Sequence, residues 1–222
     1  MDRVLIFGCN DFAEMIYESI RRGCSTHEYE VEGFVIDDAY YEAPLYCGKP
    51  VYRYSELDSQ FVREDIRILI CVGYSNMNAN RKEIFGRLTR DGWNIASYFD
   101  KMAIIRTDNL GIGNIVCDGA NIGIKSKIGN GNIFYPGALF AHHSTAGDFN
   151  FFAISSSVAG HVSVGNQCFF GNNSSTRDKI TIADKNLIGA GCYLNHNVQV
   201  SGRVYVSNRC VELADRTADE ML

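Results

Sequence analysis

Residues 122–170 read IGIKSK IGNGNI FYPGAL FAHHST AGDFNF FAISSS VAGHVS VGNQCF F when they are divided into groups of six. Each group opens with a large apolar residue, apart from the one that opens with Ala146. The same frame runs without an insertion from Ile104 to Val206, and sixteen of its eighteen opening positions are large and apolar. A period of six fits neither an α-helix nor a simple alternating strand, and it is typical of hexapeptide repeats that wind into a parallel β-helix. We therefore predict a prism filled by one large side chain per hexad, with three hexads, about eighteen residues, to a coil.

The composition of the 222-residue chain is that of an ordinary globular protein, with 46% apolar residues, 21% charged residues and a formal net charge of -5. Because the chain has no run of like charges, we expect neither nucleic acid nor an anionic membrane as its main partner. Met1–Val4 leads straight into a strand-like run, so we expect no signal peptide and no membrane insertion. The eight cysteines are scattered and form no C-x-x-C pair, which favours free thiols and a cytoplasmic protein.

The chain before the repeats predicts a small α/β unit. Strand-like runs at Val4–Phe7, Val31–Ile36 and Ile68–Val72 alternate with amphipathic stretches at Phe12–Ile20 and Asn78–Arg90. This order is typical of a Rossmann-like βαβαβ unit with a parallel sheet. The segment between the second and third runs is expected to hold a Gly-Lys-Pro-Val turn and one short helix that begins near Ser55.

The predicted strands end at Gly8, Asp37 and Gly73, and ligands of open α/β sheets bind outside the carboxyl ends of the strands. The first turn is not a full G-x-G-x-x-G motif, since Asn10 stands where the second glycine would let a pyrophosphate approach. A mononucleotide or nucleotide sugar needs only backbone N–H groups at a helix N-terminus. Gly8, Asn10, Asp37, Asp38 and Gly73 are therefore candidate substrate-binding residues. The alternative remains that Gly8 makes a tight turn and that Asp37 and Asp38 form a solvated strand end.

Four of the five histidines lie within the repeats: His142, His143, His161 and His196. His143 and His161 are eighteen residues apart, so we expect them to lie one strand spacing apart, about 4.8 Å. Three roles stay open: a general base for an attacking amine or hydroxyl, a metal ligand, or surface polarity. Because successive side chains of a strand point to opposite sides, we expect that the adjacent His142 and His143 do not share a metal.

Phe140–Asp148, which reads FAHHSTAGD, resembles the catalytic segment of bacterial left-handed β-helix acyltransferases that act on nucleotide-linked amino sugars. That group includes the sialic acid O-acetyltransferase-like proteins. Further segments match the same proteins in the same order, so the resemblance covers nearly the whole chain: Val4–Ala13, Phe34–Asp38, Ile70–Arg81, Ser175–Asp178 and Ile188–Gly191. The resemblance implies an N-terminal α/β unit, a left-handed parallel β-helix, and a homotrimer with active sites between subunits. It also implies a nucleotide sugar on the N-terminal unit and acetyl-CoA or another acyl-CoA along the coils. From the arrangement of the histidines we expect no metal.

The resemblance assigns roles to individual residues. His142 falls where the family has its catalytic histidine, and Gly160 matches the glycine whose backbone N–H faces the thioester oxygen. Gly189, Ala190 and Gly191 fall where the last coils line the coenzyme tail. Gly160 is thus implied both as a catalytic and as a cofactor-binding residue.

Two positions depart from the family. His143 stands where the family commonly has an acidic residue that orients the catalytic histidine, and an imidazole cannot supply a fixed negative charge. Either His143 itself or an acidic residue elsewhere, such as Asp148, would then assist His142. The family's closing Gly-x-Pro-Ala-Lys-like segment is replaced here by Val206–Cys210 and an acidic tail to Leu222.

We therefore divide the chain into a nucleotide-sugar-binding unit (residues 1–98), a β-helix acyltransferase unit (residues 99–209) and a C-terminal tail (residues 210–222). The expected activity is transfer of an acetyl or related acyl group from coenzyme A to the amine of a UDP- or dTDP-linked amino sugar, in bacterial surface glycan biosynthesis. One alternative is O-acetylation of a sugar that is not linked to a nucleotide. The other is a non-catalytic trimeric solenoid that binds a sugar nucleotide.

Overall fold

A computed structural model describes residues 1–207 and consists of an N-terminal α/β sheet followed by a β-helix. The elements of the N-terminal unit are β1 (Asp2–Phe7), α1 (Asp11–Arg21), β2 (Tyr29–Ile36), β3 (Leu45–Tyr46), β4 (Lys49–Arg53), α2 (Leu57–Gln60), β5 (Arg67–Ile70), α3 (Ala79–Arg90) and β6 (Asn94–Ile95). Short 3-10 helices span Asp38–Tyr40 and Tyr54–Glu56. None of the helices in residues 1–207 combines the length and hydrophobicity needed to cross a membrane.

The N-terminal sheet has the order β3-β4-β2-β1-β5-β6 and is parallel except for the β3–β4 hairpin. The predicted βαβαβ unit is present, but the sheet is wider than predicted. The Gly-Lys-Pro-Val turn is wrong, because Lys49–Arg53 is strand β4 and pairs with β2. The turn lies one step earlier, at Cys47 and Gly48, which both adopt positive φ (49° and 74°). A two-residue turn of this kind is the usual connection of a hairpin.

The β-helix consists of seventeen two-residue strands in residues 98–205, arranged on three faces. The first face contains Ile104–Ile105, Asn121–Ile122, Leu139–Phe140, Ser157–Val158, Ser175–Thr176 and Tyr193–Leu194. The second face contains Lys127–Ile128, Thr145–Ala146, Ser163–Val164 and Thr181–Ile182. The third face contains Tyr98–Phe99, Ile115–Val116, Ile133–Phe134, Phe151–Phe152, Phe169–Phe170, Leu187–Ile188 and Val204–Tyr205. The predicted left-handed parallel β-helix is confirmed.

The strands pair at a spacing of eighteen residues, as predicted, and their second residues fill the interior. Phe134 pairs with Phe152, and Phe152 pairs with Phe170. Their rings stack at centroid distances of 4.5 and 5.0 Å, and all three side chains are buried. Since a ring fills the interior at each of these levels, the prism is a packed core rather than a channel.

The uninterrupted frame is wrong at both ends of the β-helix. Ile105 rather than Ile104 pairs with the core residue Ile122, so the first coil is one residue short. At the other end Val198 is buried and bridges to Ile182, whereas Val200 and Val206 are exposed. Both in-frame positions, Ile104 and Val200, are apolar although neither is the residue that faces the interior. The period of six therefore continues in the sequence beyond the coils that follow it in the structure.

Each coil turns at three corners, and we name each corner after the face that precedes it. The first corner contains residues 123–125, 141–143, 159–161 and 177–179; the second contains 129–131, 147–149, 165–167 and 183–185; the third contains 135–137, 153–155, 171–173 and 189–191. The last residue of nearly every turn has positive φ, such as 58° at His143 and 59° at His161. Residues eighteen apart therefore stack in columns along each corner.

The N-terminal unit packs against the third face. The outward residues of this face, Ile115, Ile133 and Phe151, are buried in one core with residues of β1, α1 and β2. On the other two faces the outward residues are mostly polar and partly or fully exposed, such as Lys127 and Ser163. The outward apolar side chains thus identify the face that the N-terminal unit covers.

Arg81 joins the two units through a fully buried guanidinium that is 1% exposed. Its five N–H groups are directed at six oxygen atoms: Val72 O, Gly73 O and Asn78 Oδ1 in the N-terminal unit, and Gly131 O, Phe149 O and Asn150 O in the β-helix, at 2.9–3.2 Å. Burial lowers the pKa of Arg81 to about 9, which still leaves the group charged at neutral pH. The hydrogen bonds therefore hold a cation without a carboxylate partner.

Replacement of Arg81 by methionine should lower the free energy of unfolding by at least about 3 kcal/mol, because several buried carbonyl groups lose their donor. Urea denaturation of the full chain measures this change. Arg90→Met is the matched control, since Arg90 is exposed on the same helix, and its effect should stay within about 0.5 kcal/mol. Equal stabilities of the two variants would contradict a clamping role for Arg81.

Candidate active site

His142 and His143 form the turn at the first corner that follows Leu139–Phe140, and His161 lies in the next coil. The ring centroids of His143 and His161 are 4.9 Å apart and the rings are inclined by 16°, so they are stacked. This confirms the expected spacing of about one strand. The ring of His142 is close to perpendicular to both, with centroids 5.1 Å from His143 and 5.4 Å from His161.

The three imidazoles form one exposed cluster. One ring nitrogen from each of His142, His143 and His161 lies within 4.8 Å of the others. The expectation that His142 and His143 cannot face a common point is therefore wrong. Its premise was the alternation of side chains along a strand, which does not hold in a turn whose second residue has positive φ.

Gly160 provides the space that the ring of His142 occupies. It stands eighteen residues after His142, so the two are adjacent in one column of the first corner. A Cβ atom on Gly160 would lie 2.8 Å from Cε1 and 3.0 Å from Nε2 of His142. The Gly160 N–H is not paired with another residue of the described chain. The ring of His142 thus lies against a residue whose backbone N–H has no partner in residues 1–207.

Two buried hydroxyl groups that sequence reasoning missed hold this corner in place. Ser144 donates to Ala159 O (2.9 Å) and accepts from Val162 N (3.0 Å). Thr176 accepts a hydrogen bond from the N–H of Ala159 at 3.0 Å. The position of Thr176 was visible as a polar residue in an otherwise apolar column, and its hydroxyl fixes the residue just before Gly160.

The electrostatics of the pair favour a neutral His143. Nδ1 of His142 and Nδ1 of His143 are 3.0 Å apart, so one of them donates and the other accepts. Partial desolvation lowers the pKa of His143, and the nearby His161, Lys125 and His142 lower it further. A neutral His143 can accept the Nδ1–H of His142. This tautomer leaves Nε2 of His142 with a free lone pair, which is the requirement for a base.

Asp148 does not replace the missing acid. It lies at the second corner, where its Oδ1 accepts the N–H of Asn130 at 2.7 Å. The same contact repeats along this corner, from Asp148 N to Asn166 Oδ1 and from Asn166 N to Asp184 Oδ1. Asp148 is therefore part of a structural ladder that ties successive coils together.

Gly189, Ala190 and Gly191 lie at the third corner and are not adjacent to His142. The first face separates the third corner from the first, so these residues and the histidines lie at opposite edges of that face. The face is partly apolar, since Leu139 and Tyr193 are exposed on it. The role of the three small residues in coenzyme binding stays a prediction.

The described cysteines are free. Burial raises the pKa of the Cys168 thiol to about 11 and raises the pKa of Cys192 as well. Both thiols are buried. A thiol held in its protonated form is a poor nucleophile, so neither residue is a candidate for covalent catalysis.

At the carboxyl ends of the N-terminal strands, a cavity of about 490 Å³ is lined by Gly8, Asn10 and Asp37 among the predicted residues. Tyr40 and Glu83 also line it, and neither was a candidate from the sequence. Asp38 and Gly73 are not in its lining. The structure thus brings three of the five predicted residues to one crevice.

Most of these residues also have structural partners. Asn10 caps helix α1 by accepting the N–H of Ala13 at 3.0 Å, and it donates to Cys71 O at 3.1 Å. Gly8 has φ 129°, and a Cβ there would lie 2.7 Å from Cys71 O. Both residues therefore shape the turn.

The carboxylates at the end of β2 are likewise engaged. Asp37 forms an ion pair with Arg87, whose guanidinium lies 4.2 Å above the ring of Tyr54. Asp38 accepts the hydroxyl of Ser55 at 2.6 Å, and this hydrogen bond lowers the pKa of Asp38. Gly73 O accepts from Arg81. The sequence did not reveal this partner of Asp37, because Arg87 reaches it from helix α3, fifty residues away.

No protein-family model matches the chain, and neither does any curated protein sequence. Several solved structures do match. The acetyltransferase domain of PglB from Neisseria gonorrhoeae is 17% identical, with a TM-score of 0.78 over 92% of this chain and 96% of that one. A mutant of perosamine N-acetyltransferase from Caulobacter crescentus, in complex with CoA and GDP-perosamine, is 23% identical, with a TM-score of 0.77 over 92% and 91%. WeeI from Acinetobacter baumannii is 17% identical, with a TM-score of 0.75 over 89% and 93%.

The chain has the fold of these proteins. The alignments span the N-terminal sheet and the β-helix together, so the shared feature is the pairing of the two units and not the repeat alone. The predicted closing segment at Val206–Cys210, the domain limit at 209 and the tail 210–222 fall largely or wholly outside the described residues.

The side chain of His143 should titrate below 6.5, and its Nδ1 should be the unprotonated nitrogen above that pKa. Its pKa should rise towards 6.5 in a His161→Asn variant, because the electrostatic effect of His161, which lowers the pKa of His143, is removed. Long-range proton–nitrogen NMR of the histidine rings, recorded with a chelator present, measures both. A His143 that titrates at 6.5 or above would contradict its role as the acceptor for His142.

Proposed function

We propose that the protein transfers an acetyl group from acetyl-CoA to the amine of a nucleotide-linked amino sugar. The observation that carries this proposal is the position of His142 over Gly160. The ring of His142 lies against Gly160, whose backbone N–H has no partner among residues 1–207, on the surface of a β-helix. A proton acceptor beside a hydrogen-bond donor is what direct acyl transfer requires.

In the proposed reaction the sugar amine attacks the thioester carbonyl while Nε2 of His142 accepts the proton of the amine. The N–H of Gly160 donates to the oxyanion of the tetrahedral intermediate. Collapse of the intermediate breaks the carbon–sulfur bond, and the departing thiolate takes the proton from the His142 imidazolium. His143 stays neutral and accepts the Nδ1–H of His142, which fixes the tautomer. No covalent enzyme intermediate is involved.

The structural neighbours support this chemistry. The PglB domain has been solved in complex with acetyl coenzyme A. The perosamine N-acetyltransferase has been solved in complex with CoA and GDP-perosamine, in two variants with one histidine replaced, by asparagine in one and by alanine in the other. In this chain the geometry of the site itself points to His142 as the histidine to replace.

The two substrates would occupy the two surfaces described above. The coenzyme would cross the first face, between the small residues Gly189–Gly191 and the ring of His142. The nucleotide would lie in the crevice at Gly8 and Asp37. UDP, dTDP and GDP are the nucleotides to compare. The product class, an N-acetylated nucleotide sugar, fits bacterial surface glycan biosynthesis.

We further propose that the active site forms between chains of a homotrimer. The N-terminal unit covers the third face, and the first corner, with His142, lies between the other two faces, on the far side of the prism. A sugar nucleotide in the crevice of one chain would therefore have to cross the prism to reach its own His142. A neighbouring chain that supplies either part removes this difficulty.

Sedimentation equilibrium of the purified full chain should give a mass of three chains under the conditions of the activity assay. The reason is that the crevice lies in the unit that covers the third face, whereas the base lies at the first corner, between the other two faces. A monomer with undiminished turnover would overturn the proposal that the site is shared.

His142→Ala should lower the rate of acetyl transfer by roughly 10²–10⁴-fold, because the attacking amine loses its base. The measurement is release of the coenzyme A thiol from acetyl-CoA, with amino sugars linked to UDP, dTDP or GDP as acceptors. Thermal stabilisation by coenzyme A should be retained in the variant, which separates a loss of chemistry from a loss of folding.

Gly160→Ala gives a second variant at the same site. The added methyl group must displace the ring of His142, and a displacement of about 1 Å costs on the order of 10²-fold. Gly86→Ala is its control, since a Cβ at Gly86 meets nothing within 4 Å and the residue lies on the exposed side of α3.

Unchanged turnover in His142→Ala would rule out the proposed base. Turnover of acceptors without a nucleotide would instead indicate a sugar O-acetyltransferase, and no stabilisation by coenzyme A would indicate a binding protein.

A further inference from the structure

We propose that His142, His143 and His161 bind one divalent late transition-metal ion, such as Zn²⁺, and that the bound ion inhibits the enzyme. The binding part of this inference rests on the geometry of the three side chains alone. The inhibitory part rests on the proposed function, because it concerns the role of His142 as a base.

The distances suit a metal ion held by three imidazoles. Zinc–nitrogen bonds of about 2.0–2.1 Å at tetrahedral angles place two ligand nitrogens about 3.3 Å apart. Nδ1 of His142 and Nδ1 of His143 are 3.0 Å apart, and one nitrogen of each of the three rings falls within 4.8 Å of the others. Because all three side chains are exposed, modest rotation of the rings can close the remaining gap.

The chemistry of the cluster selects the kind of ion. Neutral imidazole nitrogen is a good ligand for zinc, nickel and copper, whereas magnesium and calcium prefer oxygen. The three ligands include no carboxylate. His143 and His161 lie in one column of the first corner, and the cationic Lys125 and Lys179 flank them there. Hard ions that depend on negative charge are therefore disfavoured, and the affinity for zinc should come from the nitrogen lone pairs.

Metal binding and catalysis exclude each other at His142. A neutral imidazole that coordinates an ion through Nδ1 carries its proton on Nε2, so Nε2 of His142 then has no lone pair for the proton of the amine. An ion on the cluster would also prevent the hydrogen bond in which Nδ1 of His143 accepts the Nδ1–H of His142. The stacked His161, which has no part in the proposed reaction, supplies the third ligand.

The test uses the full chain without a histidine tag, treated with a chelator and then dialysed. Calorimetric titration with zinc chloride, and separately with nickel chloride, should show one site per chain. His161→Asn should weaken this site by at least about 10–100-fold. Asparagine tolerates the positive φ of this turn position, and Asn173 adopts φ 54° at the equivalent place of the third corner. His196→Asn, at an exposed histidine elsewhere on the β-helix, should leave binding unchanged.

Activity is then measured at pH 8 with and without zinc. Wild-type turnover should fall over the concentrations at which zinc binds and should return when EDTA is added. His161→Asn should match the wild type without zinc and should resist inhibition. Binding of equal strength in His161→Asn, absence of a saturable site, or a requirement of zinc for turnover would each overturn the proposal. Zinc binding that His161→Asn abolishes, in a protein that transfers no acetyl group, would support the metal site and refute the proposed function.

Discussion

The coil length of eighteen residues is the constraint on which this structure depends. Between the slips at the two ends of the β-helix, parallel pairing at this spacing places each residue directly over the residue eighteen positions earlier. In the interior this brings Phe134, Phe152 and Phe170 into a stack. At the first corner the same register places His142 over Gly160 and His143 over His161. The candidate site is thus a direct product of the packing period, and a single inserted residue between the two coils would dismantle it.

A second consequence of the register is that one face can be marked for a partner. The outward position of each third-face strand repeats every eighteen residues, and it is filled by Ile115, Ile133 and Phe151 where other faces have lysine, serine or threonine. This apolar row receives the N-terminal unit. Arg81 then fixes the position of that unit, because its planar guanidinium requires carbonyl groups from both units at once. Apolar burial supplies the attraction, and the directional hydrogen bonds of Arg81 set the orientation.

The sequence was informative wherever the signal was periodic. The β-helix, its coil length and the spacing of His143 and His161 followed from a period of six, and the βαβαβ unit followed from alternating runs. Local exceptions were not predictable in this way. The slip at Ile105 and the burial of Val198 depend on how the ends of the prism close, and neighbouring apolar residues disguise both. The hairpin at Cys47–Gly48 was missed because its strands are short.

The contacts of the candidate site were harder to foresee for a different reason. Asn10 and Asp38 look like ligand-binding residues in the sequence, and each has a partner that only the folded chain supplies: Asn10 caps α1, and Asp38 binds Ser55. Asp37 is likewise paired with Arg87, fifty residues away. A polar residue at a strand end is consistent with both roles, so sequence alone could locate the crevice but could not say which side chains are free to bind.

His143 is where the site differs most from a histidine–carboxylate pair. A carboxylate would stabilise the imidazolium that forms when His142 accepts a proton, whereas a neutral imidazole offers a lone pair and no charge. His143 therefore fixes the tautomer and orientation of His142 without placing a negative charge beside it. The same side chain offers a nitrogen ligand rather than an oxygen ligand beside two other imidazoles. A histidine at this turn position thus gives less electrostatic assistance to the base than a carboxylate would, and it completes a set of donors suited to a transition metal.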